Sequence, residues 1–88
     1  MYKLAVKEIL DKKFKKLQKK EMEMLRLIER KVQDILADPY RFKPLRNPLQ
    51  NKRRVHIAGS FVLVYEIKEK EKIVTLLDFD HHDNIYKT

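Results

Sequence analysis

The 88-residue sequence has no cysteine, no tryptophan, one glycine and three prolines. Without cysteine there is no disulfide, no thiolate metal site and no cysteine nucleophile. With a single glycine there is no glycine-rich phosphate loop, and neither the GxSxG nor the HExxH pattern occurs. No apolar run approaches the roughly 18 residues needed to cross a bilayer, and no signal-peptide pattern opens the chain. The expectation is therefore a soluble, cytoplasmic protein without a membrane partner. Hydrophobic residues make up 43%, too many for a disordered basic tail, and the length suits one domain over residues 1–88 with one small core. Twenty-one Lys and Arg against thirteen Asp and Glu leave a net charge of +8. A surplus of this size invites a polyanion, most often nucleic acid.

The surplus is unevenly spread. Residues 39–60 hold Arg41, Lys43, Arg46, Lys52, Arg53 and Arg54 and no acid, so +6 of the +8 lies in 22 residues. In residues 1–38 charges of both signs alternate within a helical pattern, as on a solvated helix face, and residues 61–88 are slightly acidic. Only the middle block lacks neighbours in sequence to neutralise it.

Hydrophobic spacing predicts the elements. Tyr2, Leu4 and Val6 alternate with Lys3, Ala5 and Lys7, a strand-like start, although a helix beginning at Leu4 competes. Leu10, Phe14 and Leu17 then fall at helical spacing, and Met24 or Leu25, Ile28, Val32, Ile35 and Leu36 repeat it up to Asp38. One helix over residues 8–37 would be about 45 Å long, too long for a domain of this size, so a helical hairpin turning near Lys19–Glu21 is expected. Pro39 ends it, and all three prolines fall within residues 39–53, which read as irregular chain. Three strands follow: Arg54–Ala58, Phe61–Lys68 and Ile73–Asp80, with turns at Gly59-Ser60 and Lys70-Glu71-Lys72. The predicted class is α+β, in the order β-α-α-β-β-β, with a helical hairpin packed on one face of a small, mostly antiparallel sheet. The second face is expected to be open and to carry function.

Alternation puts Arg54 and His56 on one face of their strand, and Asp78, Asp80 and His82 on one face of the last, if that strand runs so far. Imidazole suits proton transfer near neutral pH, and Lys or Arg beside it can hold a phosphate and stabilise charge developing on it. RNA cleavage needs little more: the 2′-hydroxyl attacks the adjacent phosphate while one group removes its proton and another protonates the leaving oxygen. Adjacent strand residues point to opposite faces, and neither HxH nor HxxxH spacing occurs. His81-His82-Asp83 is therefore not expected to bind a metal, and no cofactor is implied. Tyr86 suits either base stacking or packing of the tail.

The stretch RRVHIAGSFVLVYEI…IVTLLDFDHHDNIY, residues 53–86, together with the preceding helical hairpin, resembles the RelE/ParE superfamily of toxins from toxin–antitoxin pairs. The resemblance implies a cytoplasmic endoribonuclease, an mRNA interferase that cuts mRNA on the ribosome without a metal and thereby inhibits translation. It also implies neutralisation by a RelB-like antitoxin. The ParE branch shares the fold and poisons DNA gyrase, so a gyrase inhibitor, or an inactive relic that binds only RNA or its antitoxin, is the alternative. Against the YafQ-type pattern His56 and His82 fall on catalytic histidines, and Tyr86 on an aromatic that faces the RNA. Ser60 stands where that pattern has Asp, and Lys43 where it has an earlier His. Against the RelE pattern Arg54 falls on a substrate-binding Lys, while a mid-hairpin Arg becomes Val62. The implied catalytic set is His56, His82 and Arg54, with the two imidazoles as base and acid in an order left open. Lys43, Arg46, Lys52 and Arg53 would position phosphates and Tyr86 would stack on a base.

Overall fold

The computed structural model describes residues 1–45 and 51–85. The elements are β1 (Lys3–Val6), α1 (Glu8–Lys20), α2 (Met22–Ala37), β2 (Lys52–Ile57), β3 (Phe61–Lys68), β4 (Ile73–His81) and a one-turn helix α3 (His82–Ile85). The strands form one sheet in the order β1-β4-β3-β2, with β1 parallel to β4 and the other pairs antiparallel. This is the α+β arrangement expected. The N-terminal alternation resolves as a strand, and β3 has the bounds that its β-branched and aromatic run predicts.

The helices break at one residue, without Gly or Pro. Glu21 leaves helical geometry (φ −142°, ψ 66°), and its N–H still donates to the Leu17 carbonyl at 2.7 Å, closing the last turn of α1. The apolar stripes drive this break, because both must face the same sheet. Leu10 of α1 and Ile28, Val32 and Ile35 of α2 are buried against Val55, Ile57, Leu63, Tyr65, Val74, Leu76 and Phe79. The turn between β2 and β3 holds Ala58 and Gly59 at positive φ (54° and 79°). Gly59 takes this conformation freely, whereas Ala58 holds it at a cost of about 1–2 kcal/mol.

One irregularity decides which side chains reach which face. Val64 is opposite Asp78 but Tyr65 is opposite Leu76, so Leu77 is an extra residue in β4. Strict alternation from Val74 and Leu76 would send Asp78 and Asp80 into the core. The bulge instead turns Phe79 into the core, opposite Leu63, and places Asp78 and Asp80 on the other face with Arg54 and His56. That face is less open than expected. Val62 and Val64 at its centre are buried, set between His56 and Asp80 and between Arg54 and Asp78 respectively.

Away from that face, Glu69 in the β3–β4 turn accepts hydrogen bonds from the hydroxyls of Tyr2 (2.6 Å) and Tyr40 (2.7 Å) and pairs with Lys72. It thus links the first strand, the segment after α2 and the turn. The Lys72 ammonium and the two hydroxyls lower its carboxyl pKa from the ordinary 4.5 to about 2. A carboxyl with a depressed folded pKa stabilises the fold above its unfolded pKa and loses that contribution as pH falls toward the folded value. Melting temperatures of the wild type should therefore fall between about pH 5 and pH 2, and Glu69→Gln should flatten that limb. An identical acid limb in the variant would count against the assignment.

Candidate functional site

Arg41, Phe42, Lys43, Arg54, Val55 and His56 line an open cleft of about 330 Å³. Its one wall is β2 and the other is the chain after α2. This chain docks on β2 as a short added strand: Leu45 N–H donates to the Lys52 carbonyl (2.8 Å), Arg54 N–H donates to the Lys43 carbonyl (3.1 Å), and Pro44 bridges to Arg53. Proline is tolerated there because it lies outside the regular strands. The docking brings Arg41 and Lys43, more than ten residues upstream, beside Arg54 and His56. Three cations and an imidazole thus share one shallow concavity.

Two further contacts hold this wall. Tyr65, fully buried, donates its hydroxyl to the Pro39 carbonyl at 2.6 Å. Burial raises its pKa to about 12, so the hydroxyl remains a donor throughout the neutral range. Arg53 donates to the carbonyls of Phe42 (2.7 Å) and Tyr40 (3.3 Å), and its guanidinium lies over the Tyr40 ring at 5.0 Å. Its Nε is buried with no hydrogen-bond partner among the described residues.

The sequence-predicted residues therefore separate. Arg54, His56 and Lys43 meet in the cleft, and Lys52 shares the strand face of Arg54 and His56. Arg53, expected to position phosphate, points to the opposite face, where its guanidinium holds the Tyr40–Phe42 segment. Arg46 and Tyr86 lie outside the described residues. Arg41 joins the cleft although only its place in the acid-free block marked it. No periodicity could select it, because docking of irregular chain puts it there.

His82 departs from its expected place. β4 ends at His81, and His82 opens α3, so it does not continue the face of Asp78 and Asp80. Its N–H donates to the Ser60 carbonyl at 2.8 Å, fixing the strand-to-helix transition to the β2–β3 turn. His56 is on β2 opposite Val62, and Val62 is opposite Asp80 on β4. His56 and the His82 end of β4 are thus two strand spacings apart, about 10 Å.

The two aspartates on the shared face are already paired. β1 stops at Val6, leaving the edge of β4 beyond Leu76 without a strand partner among the described residues. Lys13 of α1 fills that place, donating to the Phe79 carbonyl (3.0 Å) and to Asp78 Oδ1 (3.1 Å), with Asp80 Oδ2 at 3.7 Å. Asp80 also accepts from Asn84 (3.0 Å) and from the His81 N–H (2.7 Å), and its pKa is lowered, chiefly by the Asn84 bond. These carboxylates anchor α1 and α3 to the sheet edge, and Lys13 offsets their negative charge on the face that bears the cleft.

The chain is thus a small α+β protein with a helical hairpin on one face of its sheet and a basic, imidazole-bearing cleft on the other. Residues 3–86 match the family of ParE toxins of type II toxin–antitoxin systems, parDE. The chain belongs to this RelE/ParE superfamily and is a toxin of a type II toxin–antitoxin system. It is 46% identical over 87 residues to RelE4 of Methanocaldococcus jannaschii, covering 99% of this chain and 93% of that one. Among solved structures it is similar to the toxin–antitoxin complex RelBE2 of Mycobacterium tuberculosis (26% identity, TM-score 0.73, 91% of this chain and 96% of that one). It is also similar to a metal-bound toxin from Helicobacter pylori (25% identity, TM-score 0.79, 98% and 100%). No described helix is long and apolar enough to cross a membrane.

Proposed function

We propose that this toxin is a ribosome-dependent mRNA endonuclease that inhibits translation by acid/base cleavage without a metal. The observation that carries the reading is the convergence of His56 with Arg41, Lys43 and Arg54 on one cleft. The cations hold the scissile phosphate and stabilise the charge that grows on it. One imidazole takes the proton from the 2′-hydroxyl as its oxygen bonds to phosphorus. The other protonates the 5′-oxygen as its bond to phosphorus breaks, leaving a cyclic phosphate. His56 acts from the cleft and His82 from the end of β4, with the substrate phosphate between them. A cytoplasmic RelB-like antitoxin covering Lys52–His56 would neutralise the same charges, and the RelBE2 relative, solved as such a complex, supports that partner.

Purified toxin added to ribosomes programmed with mRNA should cut the message within the decoding site, and should do so in EDTA. A specific observation favours a second reading: the matching family is described by its ParE branch. If mRNA stays intact while expression stops DNA synthesis before protein synthesis, gyrase inhibition replaces the nuclease reading.

A further inference from the structure

Beyond the cleft, the transition from β4 to α3 produces a second cluster. A continued strand would send His81 and His82 to opposite faces, but helical geometry at His82 brings their rings into a stack with centroids 4.7 Å apart and planes 27° from parallel. Asp83 reaches back to both. Its Oδ1 is 3.1 Å from His82 Nδ1 and its Oδ2 is 3.6 Å from His81 Nδ1. One ligand atom from each residue lies within 4.8 Å of the other two.

We propose that His81, His82 and Asp83 form a binding site for a divalent transition-metal ion of the zinc class. Tetrahedral zinc binds imidazole nitrogen and carboxylate oxygen at about 2.0–2.2 Å, which sets neighbouring ligand atoms about 3.3 Å apart. The carboxylate–imidazole separations, 3.1 Å from Oδ1 to His82 and 3.6 Å from Oδ2 to His81, are each close to that edge, and the one oxygen that ligates supplies one of them. The other edges, within 4.8 Å, close by rotation of side chains that are all partly exposed. His81 Nδ1 accepts a long hydrogen bond from the Asp83 N–H (3.2 Å), so an ion bound there displaces only a weak contact. Two imidazoles and one carboxylate favour Zn²⁺, Cu²⁺ or Ni²⁺ over Mg²⁺ or Ca²⁺, which prefer all-oxygen shells. Three protein ligands leave a fourth position for water. The ion would occupy the His82 imidazole that the cleavage proposed above uses, so that cleavage belongs to the metal-free toxin, and the metal site stands whether or not RNA is cut.

The test is a zinc titration of tag-free protein by calorimetry, paired with the visible spectrum of the Co²⁺ form. One ion per chain should bind. His81→Ala and Asp83→Ala should each weaken binding about tenfold or more, and the Co²⁺ spectrum should report four-coordination. Both residues are solvent-accessible, so unchanged circular dichroism of the variants separates ligand loss from unfolding. Zinc binding that survives in the double variant His81→Ala/Asp83→Ala, binding abolished by His56→Ala instead, or no binding at millimolar zinc would each overturn the site.

Discussion

A toxin carrying both His56→Ala and His82→Ala should cut ribosome-bound mRNA at least about a hundredfold more slowly than the wild type, the lower end of what a positioned general acid or base contributes. The loss should appear in the rate of the bound complex, because neither imidazole is needed to hold the phosphates. The cleft cations should behave differently. Arg41→Ala and Lys43→Ala should weaken RNA binding with little sequence preference and lower the dependence of affinity on salt by about one ion each. His56 is exposed and His82 begins a surface turn, so both variants should fold normally. Cleavage at the wild-type rate by the double variant would remove the imidazoles from the mechanism. Loss of binding without loss of rate would make them contact residues only.

The elements were largely legible because their signals are local. The apolar spacing of Leu10, Phe14 and Leu17 and of Ile28, Val32 and Ile35 defined two stripes, and the size of the domain required them to fold back. The β-branched run of β3 defined a central strand because a half-buried pleated surface selects such residues. Arg54 and His56 could be paired because alternation within one strand is simple geometry. What stayed hidden depended on partners remote in sequence. Nothing in LLDFD marks Leu77 as extra; the bulge follows from Phe79 packing opposite Leu63 while Leu76 packs opposite Tyr65. Arg53 looks like Arg54 in a basic run, yet one step along a strand reverses its face and sends it to backbone carbonyls. The end of β4 is set by the bond from His82 to Ser60, 22 residues upstream, and this displaced His82 from the expected face and gathered the His81–Asp83 cluster. Arg41 belongs to a wall that exists only after irregular chain docks on β2.

That wall rests on the core through Tyr65, which gives the second large effect. Tyr65→Ala should destabilise the protein by about 3–5 kcal/mol, since it removes a fully buried aromatic ring and leaves a cavity in the core. In a domain of this size each kcal/mol lowers the melting temperature by roughly 4–8 °C, so the variant should melt at least about 12 °C lower. Tyr65→Phe isolates the hydroxyl. It keeps the ring and strands the Pro39 carbonyl, for a loss of about 1–3 kcal/mol. The wild type and Tyr65→Phe respond differently to alkali. Because burial holds the Tyr65 pKa near 12 against an ordinary 10, its neutral hydroxyl contributes fully below about pH 10 and the contribution is lost as pH rises toward 12. Thermal melts from pH 9 to 12 should therefore fall less steeply for Tyr65→Phe than for the wild type. Pro39 is two residues before Arg41 and four before Lys43, so a loosened Pro39 carbonyl also frees the cleft wall. Tyr65→Phe should then bind RNA more weakly at a temperature where it is fully folded, with His56 untouched. Wild-type affinity in that variant would show that the docking of Leu45 on Lys52 and the grip of Arg53 hold the wall without the tyrosine.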